Sequence, residues 1–244
     1  MDELILIGIG TGNPDHMTRA GETALRTADL ILIPKKGADK HDLAGLRRDI
    51  CIAVLGEGAR IVEFDLPVRD TSGDYQAGVQ DWHDAIAEAW GQALAGQNAR
   101  KVALLVWGDP SLYDSTLRIA DRLVPKPKVT VVPGITALQA LTAAHGIPLN
   151  DINAPILITT GRHLRDNGWP EGVARVAVML DGELSFRDLD PTDLHIWWGA
   201  YLGMENQIID AGPVTEVAER IAKTRAEARD AHRWIMDTYL LVRG

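Results

Sequence analysis

Residues 101–123 read KVALLVWGDPSLYDSTLRIADRL, and they set a buried strand, a tight loop and a helix in one short stretch. Val102 to Trp107 is an unbroken apolar run, the pattern of a parallel strand covered on both faces. Gly108 lets the backbone turn without a Cβ clash, and Pro110 fixes its own φ while pushing Asp109 into extended space. From about Ser111 the spacing of Leu117, Ala120 and Leu123 predicts a helix. Open α/β sheets bind ligands at the loops that leave the carboxyl ends of their strands. Gly-Asp-Pro is therefore the first candidate site, although the same three residues also make an ordinary turn.

Outward from this stretch the chain follows a doubly wound order. Leu4 to Ile9 is an apolar run that opens into GIGTGNPDHMT, residues 8–18, and Thr18 is placed to N-cap a helix carrying Ala20, Ala24, Leu25 and Ala28. ADLILIPKK follows as a second strand, ending in Pro34, Lys35 and Lys36. Leu43, Leu46, Ile50 and Val54 recur at helical spacing, and Arg60 to Phe64 reads as a third strand. DLPVRDTSGDY is a long polar loop, after which Val79, Trp82, Ile86, Trp90 and Leu94 mark an amphipathic helix. Strand, glycine loop, helix and strand in this order predict an α/β fold, with any domain boundary just after Gly108.

The second half repeats that logic with different strands. Lys128 to Val132 is a strand interrupted by Pro133-Gly134, and Ile135, Leu138 and Leu141 continue as a helix until Gly146 and Pro148 stop it. Ile156–Thr160, Val173–Leu180, Leu194–Trp198 and the segment NQIIDAG read as strands. Val214, Val217 and Ile221 give a helix with a charged outer face, and Trp234 to Val242 a terminal strand.

Composition narrows the function. The net charge of −9 over 244 residues argues against nucleic acid or an anionic membrane as the main partner, so an anionic small molecule needs a local basic pocket. No apolar run is long enough to cross a bilayer, and MDELILIGIG lacks the basic start of a signal peptide. The single Cys51 forms no internal disulfide and suits a reducing, cytoplasmic setting. No Cys/His cluster has metal spacing, so no metal is expected. Gly8, Gly10 and Gly12 invite a dinucleotide reading. It fails on spacing, because the glycines run G-x-G-x-G, and Pro14, Asp15 and His16 stand where a helix should receive a pyrophosphate.

Taken together, GIGTGNPDHMT with ADLILI, then WGDPSLYDST, then VPGITALQAL with GIPL resemble the tetrapyrrole methyltransferase family in order and spacing. AGVQDWHDA, ITTGRHL, WWGAYLGMENQI and WIMDTYLLVRG carry the resemblance nearly end to end. It implies two αβα domains, 1–108 on the tetrapyrrole side and 109–244 on the methyl-donor side, with the active site in the cleft between them, and a homodimer. The implied donor is S-adenosyl-L-methionine, released as S-adenosyl-L-homocysteine, and the implied substrate is a tetrapyrrole polycarboxylate. Donor contacts fall on Thr11, Gly108, Asp109, Leu112, Thr136, Ala137, Met179 and Leu180, and on the segment Ala200, Tyr201 and Leu202. Asp15, His16 and Tyr113 are the acid/base candidates that motif placement puts near the cleft. Lys35, Lys36, Arg69, Arg162 and Arg165 are the cations expected to meet the substrate carboxylates, Arg being suited to bidentate contacts. The alternatives are another methyltransferase of this family and a non-catalytic tetrapyrrole carrier, which has no use for the donor.

Overall fold

Alternation along the strands sorts the first half of the chain onto two faces. The computed structural model describes residues 1–35, 41–70 and 72–244, with 41–44 by backbone alone. Contacts divide the chain into two units, Met1–Thr136 and Ala137–Gly244.

The first unit holds β1 (Glu3–Gly8), β2 (Leu30–Lys35), β3 (Ile61–Asp65), β4 (Lys101–Val106) and β5 (Lys128–Val132), all parallel in the order β3-β2-β4-β1-β5. Its helices are α1 (Arg19–Thr27), α2 (His41–Leu55), α3 (Tyr75–Leu94) and α4 (Thr116–Ala120). Leu4, Leu6, Leu32 and Leu104 point to one face, under Ile86 and Trp90 of α3 and Ile119 of α4. Ile5, Ile7, Ile33 and Leu105 point to the other, under Leu25 of α1 and Ile50 and Cys51 of α2. Each such fully buried aliphatic side chain contributes about 1.5–3 kcal/mol. Thr18 caps α1 by accepting from the Gly21 N–H at 3.0 Å, as its place in the sequence predicts.

The loops of β1 and β4 leave in opposite directions. The chain passes from β1 through α1 on one face to β2, on the far side of β4; from β4 it passes through α4 on the other face to β5, on the far side of β1. The neighbours β1 and β4 therefore form the topological switch point, where open parallel sheets bind their ligands.

Two expectations are corrected here. The division after Gly108 moves to Thr136, because β5 pairs in parallel with β1 from Glu3↔Lys128 onward and so belongs to the first sheet. The helix expected from Ser111 begins only at Thr116. Asp109 accepts from the Ser111 N–H at 2.8 Å and Asp114 from the Thr116 N–H at 2.7 Å, and such local side-chain turns compete with helical backbone bonding.

The second unit holds β6 (Ile156–Thr160), β7 (Arg175–Met179), β8 (Leu194–Ala200), β9 (Ile208–Pro213) and β10 (Asp237–Arg243), in the order β6-β7-β10-β8-β9. Its helices are α5 (Ala137–His145), α6 (Gly161–Asn167) and α7 (Val214–His232). It does not repeat the parallel logic of the first. β10 returns from α7 into the middle of the sheet and runs antiparallel to both β7 and β8. The carboxyl ends of β6, β7 and β8 share one edge with the start of β10, where Asp237 lies opposite Ala200 and Tyr239 opposite Val178. Among the described residues no helix is long and apolar enough to cross a membrane.

Candidate active site

At the switch point three strand-end loops touch backbone to backbone. Gly10 and Gly108 form a bridge, the Gly108 N–H donating to the Gly10 carbonyl at 2.7 Å. A Cβ on Gly8 would fall 2.6 Å from the Gly134 nitrogen, and one on Gly134 would overlap the Gly108 carbonyl oxygen. No other residue type permits this approach.

Asp109 locks the arrangement. Its Oδ2 accepts from the Gly134 N–H at 2.9 Å, and its Oδ1 accepts from the Ser111 N–H at 2.8 Å and the Ser111 hydroxyl at 2.5 Å. Burial alone would raise the pKa of this carboxyl; the three hydrogen bonds hold it below the usual 3.8. The side chain therefore ties the loop after β4 to the loop after β5. Leu112 closes the turn by donating to the Asp109 carbonyl at 3.2 Å, and the backbone of Thr136 lies beside Gly108. Gly108, Asp109, Leu112 and Thr136 are thus brought together in the first unit, although the last three were expected in the C-terminal domain.

The glycine loop brings two further candidates together and separates a third. Thr11, buried, lies 2.8 Å from His16 Nδ1 through its hydroxyl. Gly10, at φ 74, makes room for the His16 Cβ. Asp15 sits in the short 3-10 turn Pro14–His16, where its N–H donates to Asn13 at 2.9 Å and its side chain faces solvent. Tyr113 is 42% exposed at φ 49, and burial of the remainder raises its phenol pKa.

In the second unit, Met179 ends β7 and Leu180 follows at φ 53. Ala200 ends β8 and Tyr201 follows at φ 50. The Tyr201 side chain is core, its hydroxyl donating to the Trp234 carbonyl at 2.6 Å, and Leu202 is buried against Gly199. This segment therefore offers backbone, not side chains, to a ligand. Left-handed backbone in bulky residues collects at functional sites. Here it falls on Tyr113, Leu180 and Tyr201, which are among the expected site residues, and also on Leu184 and Arg233, which are not.

The basic candidates divide. Lys35 pairs with Glu63 and Asp65, each at 3.8 Å, and Arg165 pairs with Glu183 at 2.7 Å. Both are already met by carboxylates of their own unit. Arg69 stacks its guanidinium 5.1 Å from the centre of the Tyr75 ring. Arg162 is exposed in the first turn of α6. Lys36 lies outside the described residues. Arg47, not singled out by the sequence, stacks over Trp107 at 5.1 Å and donates to the Leu105 carbonyl at 3.2 Å, and burial pushes its pKa down to about 10.

Sequence reasoning also missed the supports of the site, which are Ser111, Gly161, Asp181, Arg225 and Tyr239. An Asp-Gly step after the β7 run was the only local signal for any of them. Asp29, just before β2, lies at the opposite edge, accepting from the N–H groups of Arg100 at 2.9 Å and Lys101 at 2.8 Å where β4 begins.

Residues 3–218 match the family model Tetrapyrrole (Corrin/Porphyrin) Methylases, and the chain belongs to that family. It is an S-adenosyl-L-methionine-dependent methyltransferase. Its relatives narrow the class. It is 48% identical to the precorrin-6A synthase [deacetylating] of Sinorhizobium sp, over all of this chain and 96% of that protein. It is 30% identical to the precorrin-2 C(20)-methyltransferase of the same source over 60% of this chain and 59% of that one. The crystal structure of the putative cobalamin synthesis related protein CobF of Corynebacterium diphtheriae superposes with a TM-score of 0.84 at 37% identity, covering 100% and 99% of the two chains. The uroporphyrin-III C-methyltransferase of Thermus thermophilus complexed with S-adenosyl homocysteine shares the fold at 18% identity and a TM-score of 0.59, over 98% and 97% of the chains.

Proposed function

We propose that the protein is a precorrin-6A synthase: it methylates C-1 of precorrin-5 and releases the C-1 acetyl group as acetic acid, within cobalamin biosynthesis. The observation that carries this reading is the end-to-end 48% identity with a relative of that name. In sum, the bond from C-1 to the acetyl carbon is replaced by a bond to the methyl carbon, water supplies the oxygen gained by the acetic acid, and one proton is released. When bound, S-adenosyl-L-methionine supplies an electrophilic methyl group on its sulfonium.

The residues present fit such a donor. In the first unit the bridged Gly10–Gly108 seam is bare backbone; in the second, Leu180 leaves its strand with an exposed apolar side chain. Gly108, Asp109, Leu112 and Thr136 hold it in this reading, with Thr11, Ala137, Met179, Leu180 and the backbone of Ala200, Tyr201 and Leu202 as further contacts. Methyl transfer to an electron-rich carbon needs mainly in-line placement, which a rigid backbone seam supplies.

Loss of the acetyl group needs a base for water. Of Asp15, His16 and Tyr113, His16 is the imidazole, and its Nδ1 lies 2.8 Å from the Thr11 hydroxyl. When its Nδ1–H donates to Thr11, Nε2 is left as the acceptor that takes the proton from water. Asp15 and Tyr113 are assigned to the substrate side as positioning groups. Lys35, Lys36, Arg69, Arg162 and Arg165 receive the carboxylates of the macrocycle in this reading. The lone, buried Cys51 suits a cytoplasmic enzyme, and a homodimer completes the reading, to be checked by light scattering.

Calorimetry with S-adenosylhomocysteine on wild type and Asp109→Ala is the first test. Binding by the wild type that is lost in the variant supports a donor site on the β4 loop, and absence of binding by the wild type favours the carrier. Incubation with precorrin-5 then separates the methylases. Acetate release that falls about 10²- to 10⁴-fold in His16→Asn, with homocysteine-product binding retained, supports the base assignment. Methylation without acetate points to another precorrin methyltransferase.

A further inference from the structure

We infer that Asp181 is a positioning residue for methyl transfer, whose buried carboxylate fixes the left-handed backbone at Leu180 and so presents the Met179–Leu180 peptide to the donor. This rests on the reading above that Met179 and Leu180 contact the donor.

Leu180 leaves β7 at φ 53 with its side chain 67% exposed. A leucine in that conformation crowds its own Cβ against the following carbonyl, and no burial of the side chain rewards it, so surrounding structure must hold it there. Asp181, 6% exposed, supplies the hold. Its Oδ2 accepts from the Tyr239 hydroxyl at 2.5 Å and from the Ser185 N–H at 2.6 Å. Its Oδ1 accepts from the Ser185 hydroxyl at 2.9 Å and the Glu183 N–H at 3.1 Å. The carboxylate thus closes residues 181–185 into a turn and pins that turn to β10, the strand beside β7.

The backbone is held from a third side. Arg225 of α7 donates through Nη2 to the Asp181 carbonyl at 3.0 Å, while its Nε donates to Asp237 at 2.8 Å. Gly161 completes the socket, because a Cβ there would overlap the Asp181 carboxyl carbon. Both carboxylate oxygens are taken by buried donors, so Asp181 neither meets a ligand nor moves a proton. It acts through the peptide it anchors.

The test uses the full-length wild type, Asp181→Asn and Tyr239→Phe, with S-adenosylhomocysteine calorimetry and steady-state kinetics well below each melting temperature. The expected result is binding weakened at least 10-fold in Asp181→Asn and about 3- to 10-fold in Tyr239→Phe, with the KM for the donor raised and the KM for the tetrapyrrole unchanged. If Asp181→Asn fails to fold, Tyr239→Phe decides alone. Variants that melt lower yet bind the homocysteine product as the wild type does overturn the inference and leave a structural brace. Equal losses of donor and tetrapyrrole affinity overturn it too. A wild type that binds no S-adenosylhomocysteine overturns the donor assignment itself.

Discussion

The two sheets build the edges on which the candidate residues lie by opposite means. In the first unit the edge is made of absent side chains: Gly8, Gly108 and Gly134 bring three loops into direct backbone contact, and one carboxylate, Asp109, crosses between two of them. In the second unit the edge is made of buried polar side chains, with Asp181, Tyr239, Arg225, Asp237 and Ser185 joining four elements behind a strained leucine. The difference follows from topology. An all-parallel sheet sends every loop off the same edge, where crowding is relieved only by removing Cβ atoms. A mixed sheet feeds a strand start into that edge, and the β10 side chains at Tyr239 and Asp237 are then available as struts. A backbone seam tolerates no added atom, whereas a side-chain network yields by moving a side chain.

Alanine at one glycine in each edge breaks this comparison most sharply. Gly134→Ala drives a methyl group into the Gly108 carbonyl, with backbone on both sides and nowhere to retreat. We expect a loss of about 3 kcal/mol or more, and loss of S-adenosylhomocysteine binding. Gly161→Ala meets the Cβ, the carboxyl carbon and one oxygen of Asp181, a side chain that yields more readily than backbone. About 1–3 kcal/mol is expected there, with weakened but measurable binding. Urea denaturation and calorimetry on both variants check the order; the reverse order sinks the argument.

Asp109 sharpens it next. Burial works to raise its pKa, and the bonds from Ser111 and Gly134 overcome that and set it below 3.8. As pH falls, the unfolded chain takes up this proton first. The contribution of the carboxylate to stability is therefore complete above the ordinary value and fades as pH drops through 3.8 toward the lower folded value. Asp109→Asn should cost about 1–3 kcal/mol at pH 6, and the gap between variant and wild type should narrow at pH 3. A gap of constant size at both pH values would assign the effect to shape and not to charge.

What the sequence made legible divides along the same line. Strand runs, the Thr18 cap and the glycine loop are local patterns, and each stands where it was expected. The loop on which the donor reading turns was visible in Gly108-Asp109-Pro110, since those residues specify a turn by themselves. The parts that escaped are held by partners distant in the chain. β5 joins β1 across more than a hundred residues, and the Asp181 socket gathers Gly161, Ser185, Arg225 and Tyr239, none of which periodicity connects. The late start of α4 lies between these cases. It is local, yet Asp and Ser serve a helix start and a side-chain turn equally well.

A residue that serves neither edge gives the smallest effect and the control for both. His83 lies in α3 at 2% exposure, and among the described residues neither of its ring nitrogens has a hydrogen-bond partner. Trp82 lies 5.9 Å from its ring. Burial pushes its pKa down, Arg122 and Arg118 of the neighbouring α4 region push the same way, and Asp84 and Asp114 oppose them weakly. The unfolded chain therefore takes up a proton near the usual 6.5 while the folded chain does not, so this histidine lowers stability as pH falls through that value. His83→Leu replaces it with an apolar group of similar size and removes both the stranded nitrogens and the titration. Thermal melts should show the variant about 1–2 kcal/mol more stable than the wild type at pH 5, with a smaller gain at pH 8. S-adenosylhomocysteine affinity should stay level at both pH values, because His83 is not among the candidate residues and the body of α3 packs Ile86 and Trp90 against the face of the sheet. A change in that affinity would mean that the helical layer behind β4 shapes the seam, and that the backbone contact among the three glycines is not self-sufficient.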